Sequence, residues 1–482
     1  MESEPHSIVS EVPLEAADIA SPGSFRELFT VSLPLIISAG SNSLMSVADR
    51  VMLAGYSPSS RTATTLDIIA AVTPASMLHW TVVCIPLGTI LYSNTFVSQF
   101  DGARRPREMM ASLWQAVWLA VVAGLMLMSL ATVSAHVFRS AGHDSAVVTQ
   151  EAAYFSTLCY GSPLLLLSTA LSCFFSGRRR TSVVMWVNLC GLGINLLLDY
   201  VLIFGRWGLP ELGITGAAMA TLGARVGDIV IYAALILWTM RRVHLPLLET
   251  WKPDGELLKK YLRFGVPSGL HYFVDNSAFL MFLFIVGSLS RNDMAATNLA
   301  FSVNSLIFIP LLGFGTAVQT LVGHHIGAGL LPSAVQTTWN AVRMSLVWTL
   351  TASLLLVVFP ESCLHLFLTL AETSAAQDDS VHSVLPTATR LLKFVAVYSV
   401  FDATAVVFAS ALRGAGDTLF PMLLTMTSSW MIMTVPAWLI SRSENASITG
   451  LWLTCTVHII VMGSAMPLRF LSGRWKQIHV TD

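Results

Sequence analysis

Long apolar segments, separated by short polar or Gly/Pro-containing breaks, occupy almost the whole chain. A helix needs about 20 predominantly apolar residues to cross a bilayer, and these segments are continuous rather than alternating at every second residue, which argues against a β-barrel. We therefore predict an all-α, polytopic membrane protein with twelve transmembrane helices. The predicted spans are residues 27–55, 68–97, 112–138, 152–176, 183–205, 214–240, 262–288, 299–324, 340–368, 389–412, 419–440 and 449–471.

The composition supports a lipid-facing surface. Of the 482 residues, 54% are hydrophobic and only 11% are charged, whereas soluble domains usually carry about 25% charged residues. The net charge of -1 gives no support to nucleic-acid binding. The six cysteines are isolated and form no CxxC motif, so we predict packing residues rather than a zinc site or a disulfide framework.

The distribution of Arg and Lys predicts the orientation. Cytoplasmic connections carry an excess of these residues, and here the excess falls after even-numbered spans, whereas odd-numbered spans are followed mostly by single charges. We therefore place both termini in the cytoplasm, with residues 1–24 and 472–482 as tails, the first one disordered. The basic residues that follow even-numbered spans are Arg104, Arg105, Arg107, Arg178, Arg179, Arg180, Arg241, Arg242, Lys252, Lys259, Lys260 and Arg263.

Three segments of the first half return in the same order in the second half. The pairs are 33–45 with 265–277, 85–103 with 309–328, and 174–181 with 410–418, at an offset of roughly 225–237 residues. This predicts two parallel repeats that are related by an axis along the membrane normal. Such repeats are typical of transporters in which one half rocks against the other to alternate access between the two sides. A duplicated channel or structural protein stays open as an alternative. The predicted parts are an amino-terminal six-helix lobe at 25–240, a cytoplasmic linker at 241–261 and a carboxy-terminal lobe at 262–471.

Four aspartates lie well inside apolar segments, two in each half: Asp49, Asp199, Asp275 and Asp402, in spans 1, 5, 7 and 10. A charge at the bilayer centre costs at least about 2.5–3.5 kcal/mol, so each is a candidate functional residue. The alternatives are structural: a hydrogen-bonded interhelical acid at Asp199, and a local pair of Asp49 with the adjacent Arg50.

Asn195 and Asp199 are four residues apart and share one helix face. A carboxylate beside a carboxamide makes an oxygen-rich site for a cation or a proton. Because a low dielectric disfavours the charged form of a carboxyl group, such a site could exchange protons near neutral pH, and the same oxygens could hold Na⁺. The sequence leaves both ions open.

Other polar residues in the spans have simpler interpretations. Arg225 precedes Asp228 by three residues, which predicts an ion pair within one helix, with a gating role as the alternative. His324 and His325 are adjacent, so their side chains diverge by about 100° and we predict no shared metal site. No P-loop and no HExxH motif occurs, and no catalytic cluster suggests an enzyme embedded in the membrane.

Four motifs resemble those of the multidrug and toxic compound extrusion (MATE) exporters, in particular the NorM-like branch. The resemblance extends from about residue 25 to residue 470, and the motifs occur in the family's order. They are ADRVMLAG at 48–55, NLLLDYVLIFGRWGLPELGITGAAMAT at 195–221, VGHHIGAG at 322–329 and ALRGAGDTLFPM at 411–422.

The resemblance implies a V-shaped fold of two six-helix lobes and carries over the family's coupling residues. In the amino-terminal lobe, Asp49, Asn195, Asp199 and Thr221 match a cation or proton site. In the carboxy-terminal lobe, Asp275 and Asp402 match acids used for Na⁺ or proton coupling. The NorM-like branch commonly has Glu where Asp275 stands and often lacks an acid at the position of Asp199, so either lobe could couple.

We therefore expect a secondary antiporter of the plasma (inner) membrane that exports organic, often cationic and amphipathic compounds in exchange for Na⁺ or H⁺, without a cofactor. The expected partners are these small molecules and membrane lipid, with no nucleic acid, and the expected state is a monomer. A flippase of lipid-linked oligosaccharides is the alternative, although it would need a more basic cavity for phosphate groups. Apolar and aromatic pockets suit broad specificity, and the candidate substrate-binding residues are Tyr272, Phe273 and Met281, with Trp80 and Trp186 as further aromatic candidates.

Overall fold

The computed structural model describes residues 21–56, 65–140, 145–243, 249–364, 379–478 and 480. Twelve helices in this part of the chain are long and apolar enough to cross a membrane, and the described residues contain no strand. The predicted all-α fold with twelve spans is therefore confirmed. Residues 1–20 of the predicted amino-terminal tail, and residues 244–248 of the predicted linker, lie outside the described residues.

We number the spans α1–α12. Three of them are interrupted, namely α2, α3 and α11. In the first half the bounds are α1 Phe25–Ala54, α2 Thr65–Leu91 continued by Ser93–Gly102, α3 Pro106–Ser129 continued by a 3₁₀ turn Leu130–Val133 and by Ser134–Ser140, α4 Ser145–Gly177, α5 Thr181–Phe204 and α6 Gly213–Val243. In the second half they are α7 Gly255–Leu289, α8 Arg291–Gly327, α9 Leu331–Val358, α10 Asp379–Gly414, α11 Leu419–Ser428 continued by a π-helical turn Ser429–Thr434 and by Val435–Ser441, and α12 Ile448–Leu471.

Local sequence explains where several helices begin and end. The Ser24 hydroxyl accepts a hydrogen bond from the backbone N–H of Glu27 and caps α1, and the Asp254 carboxylate caps α7 in the same manner. These caps satisfy amide groups that a helix start leaves unpaired. At the end of α5, Gly205 takes a left-handed conformation (φ 63°), which glycine adopts at little cost.

The helices pack in a pattern that repeats six helices later. In the first half, α2 and α3 pack on α4, α1 packs on α5, and α6 packs on both α4 and α5. In the second half, α8 and α9 pack on α10, α7 packs on α11, and α12 packs on both α10 and α11. The two main contacts between the halves, α1 with α8 and α2 with α7, also correspond to each other. The fold is thus two six-helix lobes related by a pseudo-twofold axis.

The lobes meet tightly at the end of the molecule where α2 and α8 finish, which we call the closed end. A Cβ on Gly327 would lie 2.0 Å from the carbonyl oxygen of Gln99, so the backbones touch. Nearby, the Asn94 amide donates to the Thr320 hydroxyl over 2.8 Å. These α2 and α8 side chains are buried between the lobes.

Two groups of buried or half-buried ionisable residues join the lobes at this end. The Glu27 carboxylate of α1 lies 3.4 Å from Arg179 and 3.2 Å from His325 of α8. The second group contains Asp101, which contacts Arg178 and His324 at 3.8 and 3.4 Å. The adjacent histidines thus face different carboxylates. Arg178 lies in the short turn between two spans, where burial lowers the pKa of its guanidinium from the usual value.

Candidate functional site

A cavity of about 400 Å³ lies between the lobes toward the end opposite the closed end. Its wall comes from α1, α2, α4, α6 and α7, and combines apolar side chains with a few charged ones, as multispecific pockets do. The lining residues are Ser46, Asp49, Arg50, Ser76, Met77, His79, Trp80, Tyr154, Leu158, Gly161, Leu165, Thr221, Leu222, Arg225, Asn276, Phe279, Leu280 and Leu283.

An oxygen-rich cluster lies in the amino-terminal lobe beside this cavity. Asp49 lines the cavity, and its Oδ2 accepts a hydrogen bond from the Thr221 hydroxyl over 3.4 Å. Asn195 and Asp199 of α5 are fully buried behind it and lie next to Asp49. The structure therefore brings Asp49, Asn195, Asp199 and Thr221 together; their function stays a prediction.

Several polar atoms of this cluster have no partner among the described residues. They are Oδ1 of Asp49, both carboxylate oxygens of Asp199, and both polar atoms of the Asn195 amide. Buried polar groups are normally satisfied, and unsatisfied ones call for a missing proton, water or ion. Two facing carboxylates repel each other when both are ionised, so this cluster is chemically suited to bind a proton or a hard cation that prefers oxygen ligands.

The aspartates of the carboxy-terminal lobe form a second pair. Asp275 on α7 and Asp402 on α10 interact electrostatically with each other, and Arg413 lies near enough to attract Asp275. Asp275 is exposed and Asp402 half-buried, and neither lines the cavity. The charge of this pair is thus partly offset by an arginine.

The predicted substrate-binding residues on α7 lie away from the cavity wall. Tyr272 packs over Gly88 at the contact with α2 and beneath the Arg413 guanidinium, 5.6 Å from its ring. Phe273 is half-buried and Met281 is exposed. None of the three lines the cavity, to which α7 contributes other side chains instead, namely Asn276, Phe279, Leu280 and Leu283. Trp80, the aromatic candidate on α2, does line it, whereas Trp186 on α5 is exposed and does not.

Sequence reasoning missed Tyr154, a buried residue of α4 that lines the cavity. Its phenol lies within hydrogen-bonding reach of Ser76 and interacts electrostatically with Asp49 and Asp199. A tyrosine in an apolar helix gives no sequence signal for such a position. Within the described residues, no three His, Cys, Asp or Glu side chains cluster as ligands of a metal ion.

Arg225, which also lines the cavity, is held in place by its neighbours. Its Nη1 contacts the buried Asp228 carboxylate at 3.1 Å, and its Nη2 donates to the Asn42 side-chain oxygen over 3.3 Å. The structure thus contains the ion pair within α6 that the spacing of the two residues predicts.

Comparisons with known proteins agree with this architecture. The MatE family model matches residues 34–201 and 267–439, one segment in each lobe. A probable multidrug resistance protein NorM of Thermotoga maritima is 26% identical over 94% of this chain and 93% of its own length. One of the same description from Xanthomonas axonopodis pv. citri is 29% identical over 94% and 95%.

The fold also matches solved structures. One, described as the outward-facing conformation of a multidrug resistance MATE family transporter of the MOP superfamily, superposes with a TM-score of 0.82. The match covers 94% of this chain and 97% of the other at 19% identity, which establishes a common fold.

Proposed function

Because the chain belongs to the MatE family of multidrug transporters, we propose that it is an antiporter that exports organic, often cationic and amphipathic compounds in exchange for Na⁺ or H⁺. We place it in the plasma (inner) membrane with both termini in the cytoplasm, in keeping with the excess of Arg and Lys after even-numbered spans. In this orientation the closed end faces the cytoplasm and the cavity faces outward.

The observation that carries the proposal is the cluster of Asp49, Asn195, Asp199 and Thr221 beside the cavity, in which several buried polar atoms have no partner among the described residues. We propose that the coupling ion binds there. In the outward-facing state the ion neutralises the carboxylates and favours release of a cationic substrate. After the lobes rock to open the cytoplasmic end, the ion leaves, and the ionised carboxylates favour binding of the next substrate.

Ion coupling supplies enough free energy for export. One charge that crosses a membrane potential of about 100 mV releases about 2.3 kcal/mol. Since each tenfold concentration ratio costs about 1.4 kcal/mol, one ion can sustain a gradient of roughly 50-fold for a neutral substrate. One or two ions per cycle are therefore sufficient without ATP.

The test is ethidium transport by the purified protein in proteoliposomes with an imposed Na⁺ or proton gradient. We expect efflux that follows one of the two gradients, which identifies the ion. Asp199→Asn should abolish this dependence, because it removes a buried ligand, and Asp49→Asn should do the same. The matched variants Asp275→Asn and Asp402→Asn should keep it.

Other outcomes contradict parts of the proposal. Loss of coupling only in Asp275→Asn or Asp402→Asn would move the ion site to the carboxy-terminal lobe. Absence of ethidium transport under every gradient would refute cation-coupled export and favour the flippase hypothesis.

A further inference from the structure

One cationic side chain on the cavity wall has no ion pair or hydrogen bond with a described residue. It is Arg50, which follows Asp49 on α1, is exposed, and lines the same cavity. Arg50 also interacts electrostatically with Asp49 and with Tyr154. A free guanidinium is unexpected in a cavity that is proposed to accept cations, so its position needs a functional explanation.

The other charged groups around the cavity are already balanced. Arg225 is paired with the buried Asp228. The His79 ring is hydrogen-bonded to the Ser162 hydroxyl over 3.0 Å and is buried, where the neutral imidazole is favoured. The electrostatic potential in the cavity is therefore set mainly by Asp49, Asp199 and Arg50.

Ion binding removes the net negative charge of this arrangement. Without an ion, two carboxylates outweigh one guanidinium, and a cationic substrate is attracted. When a proton or Na⁺ joins the carboxylates, the excess of negative charge disappears. The ion neutralises Asp49 on the cavity wall, and the remaining carboxylate charge lies on Asp199, which is fully buried, whereas Arg50 is exposed. The charge nearest to a bound substrate is then positive.

We infer that Arg50 expels the cationic substrate once the coupling ion has bound to the adjacent acids. The inference rests on the proposed antiport and assigns its release step to a specific side chain. Arg50 interacts electrostatically with Asp49 in the ion-free protein, and an ion on Asp49 frees the guanidinium to act on the substrate. Arg50 would thereby strengthen the thermodynamic coupling between the two ligands. Substrate would still bind to a protein that lacks this charge, but ion binding would no longer drive it off.

The test compares ethidium affinity, by fluorescence anisotropy, in the presence and absence of a saturating concentration of the coupling ion. In the unmodified protein we expect the ion to raise the Kd for ethidium roughly tenfold. In Arg50→Gln this factor should fall to about threefold or less, mainly because ethidium stays bound in the ion-loaded protein. Arg50→Met, which keeps an unbranched side chain, should behave in the same manner as Arg50→Gln.

Two controls separate the charge from other effects. Arg50→Lys keeps the positive charge and should retain the coupling factor. Arg26→Gln removes an exposed arginine from the opposite end of the same helix, about 36 Å away at 1.5 Å per residue, and should also retain it.

The possible failures are distinguishable. An unchanged coupling factor in both Arg50→Gln and Arg50→Met would overturn the role of Arg50 and leave antiport intact. If the ion does not affect ethidium affinity in the unmodified protein, the proposed antiport is itself refuted, and the role of Arg50 with it.

Discussion

The Thr221 hydroxyl lies close both to a helix-backbone carbonyl and to the proposed ion site. Its Oγ1 lies 3.2 Å from the carbonyl oxygen of Ala217 and 3.4 Å from Oδ2 of Asp49. Rotation of the O–H bond alone thus switches the hydrogen bond between the helix backbone and the Asp49 carboxylate. A hydroxyl oxygen is also an acceptor, so it can join the carboxylates around a cation.

We predict that Thr221→Val weakens ion coupling without unfolding the protein. Hydrogen bonds to charged groups contribute about 1.5–3 kcal/mol, and a long one such as this lies at the lower end of that range. The ion concentration for half-maximal ethidium efflux should therefore rise by roughly tenfold. The measurement is efflux rate against ion concentration in proteoliposomes. The control is Thr239→Val on the same helix, where, among the described residues, the hydroxyl bonds to the carbonyl of Leu235 and to no other group. An equal effect in both variants would assign the change to the helix rather than to the site.

At the scale of single residues, the sequence predicted the four acidic residues but not which side chains lie next to them. Asp49, Asp199, Asp275 and Asp402 stand out because a charge in an apolar span is costly. Their grouping into one pair per lobe depends on how helices distant in sequence pack. Tyr154 and Arg50 could not be assigned to the cavity, because a tyrosine or an arginine near a span end fits a lipid interface as well as a cavity wall.

Among the helices, α2 and α8 make the closest contact between the lobes. Gly102 and Gly327 allow their backbones to touch, since a Cβ on either residue would lie about 2 Å from a carbonyl oxygen of the other helix. Small residues commonly permit such approach in membrane helices. Because the contact lies at the closed end, it stabilises only the conformation in which that end is shut.

We predict that Gly327→Ala opens the closed end. Overpacking typically costs about 1–3 kcal/mol, and here the cost falls on one conformation, so the equilibrium should shift roughly tenfold or more. The measurement is the rate at which a maleimide labels a cysteine introduced at Asn94, a buried position of the closed end, relative to the protein without that cysteine. Labelling should become faster in the Gly327→Ala background.

The matched control is Gly40→Ala on α1. An added Cβ there meets no atom of the described part of the chain within 4 Å, and alanine favours a helix over glycine by up to about 1 kcal/mol. This variant should leave the labelling rate unchanged. If Gly327→Ala also leaves it unchanged, the close contact of α2 and α8 does not determine which end is open.

Helix number was predictable and helix ends were less so. The apolar segments indicated all twelve spans, although the predicted end of span 9 at residue 368 lies outside the described residues, whereas α9 itself finishes at Val358. The predicted start of span 10 at residue 389 falls inside α10, which begins at Asp379. Polar residues at the ends of long helices carry no periodic apolar signal, so hydropathy alone misplaces such boundaries. The hydropathy pattern likewise does not predict the π-helical turn of α11 at Ser429–Thr434.

For the whole molecule, the internal repeat predicted two lobes because duplicated segments must pack in the same manner. It could not predict which end of the interface is closed. The contacts within each lobe, such as α2 with α4 and α8 with α10, can be retained while the lobes rock. The choice between the two states depends instead on interlobe groups such as Glu27 with His325 and Asn94 with Thr320.

Transport by rocking lobes requires that the closed end separates in every cycle, and this can be tested with a cross-link. The side chains of Asn94 and Thr320 meet across the lobes at 2.8 Å, so the double variant Asn94→Cys, Thr320→Cys places two thiols near disulfide distance. We expect oxidation to abolish ethidium efflux and reduction to restore it, while the single variants transport under both conditions. The oxidised protein should still bind the coupling ion, because the cavity at the other end stays accessible. Full-rate efflux from a quantitatively cross-linked protein would mean that the substrate crosses without separation of α2 from α8, which is incompatible with alternating access at this end.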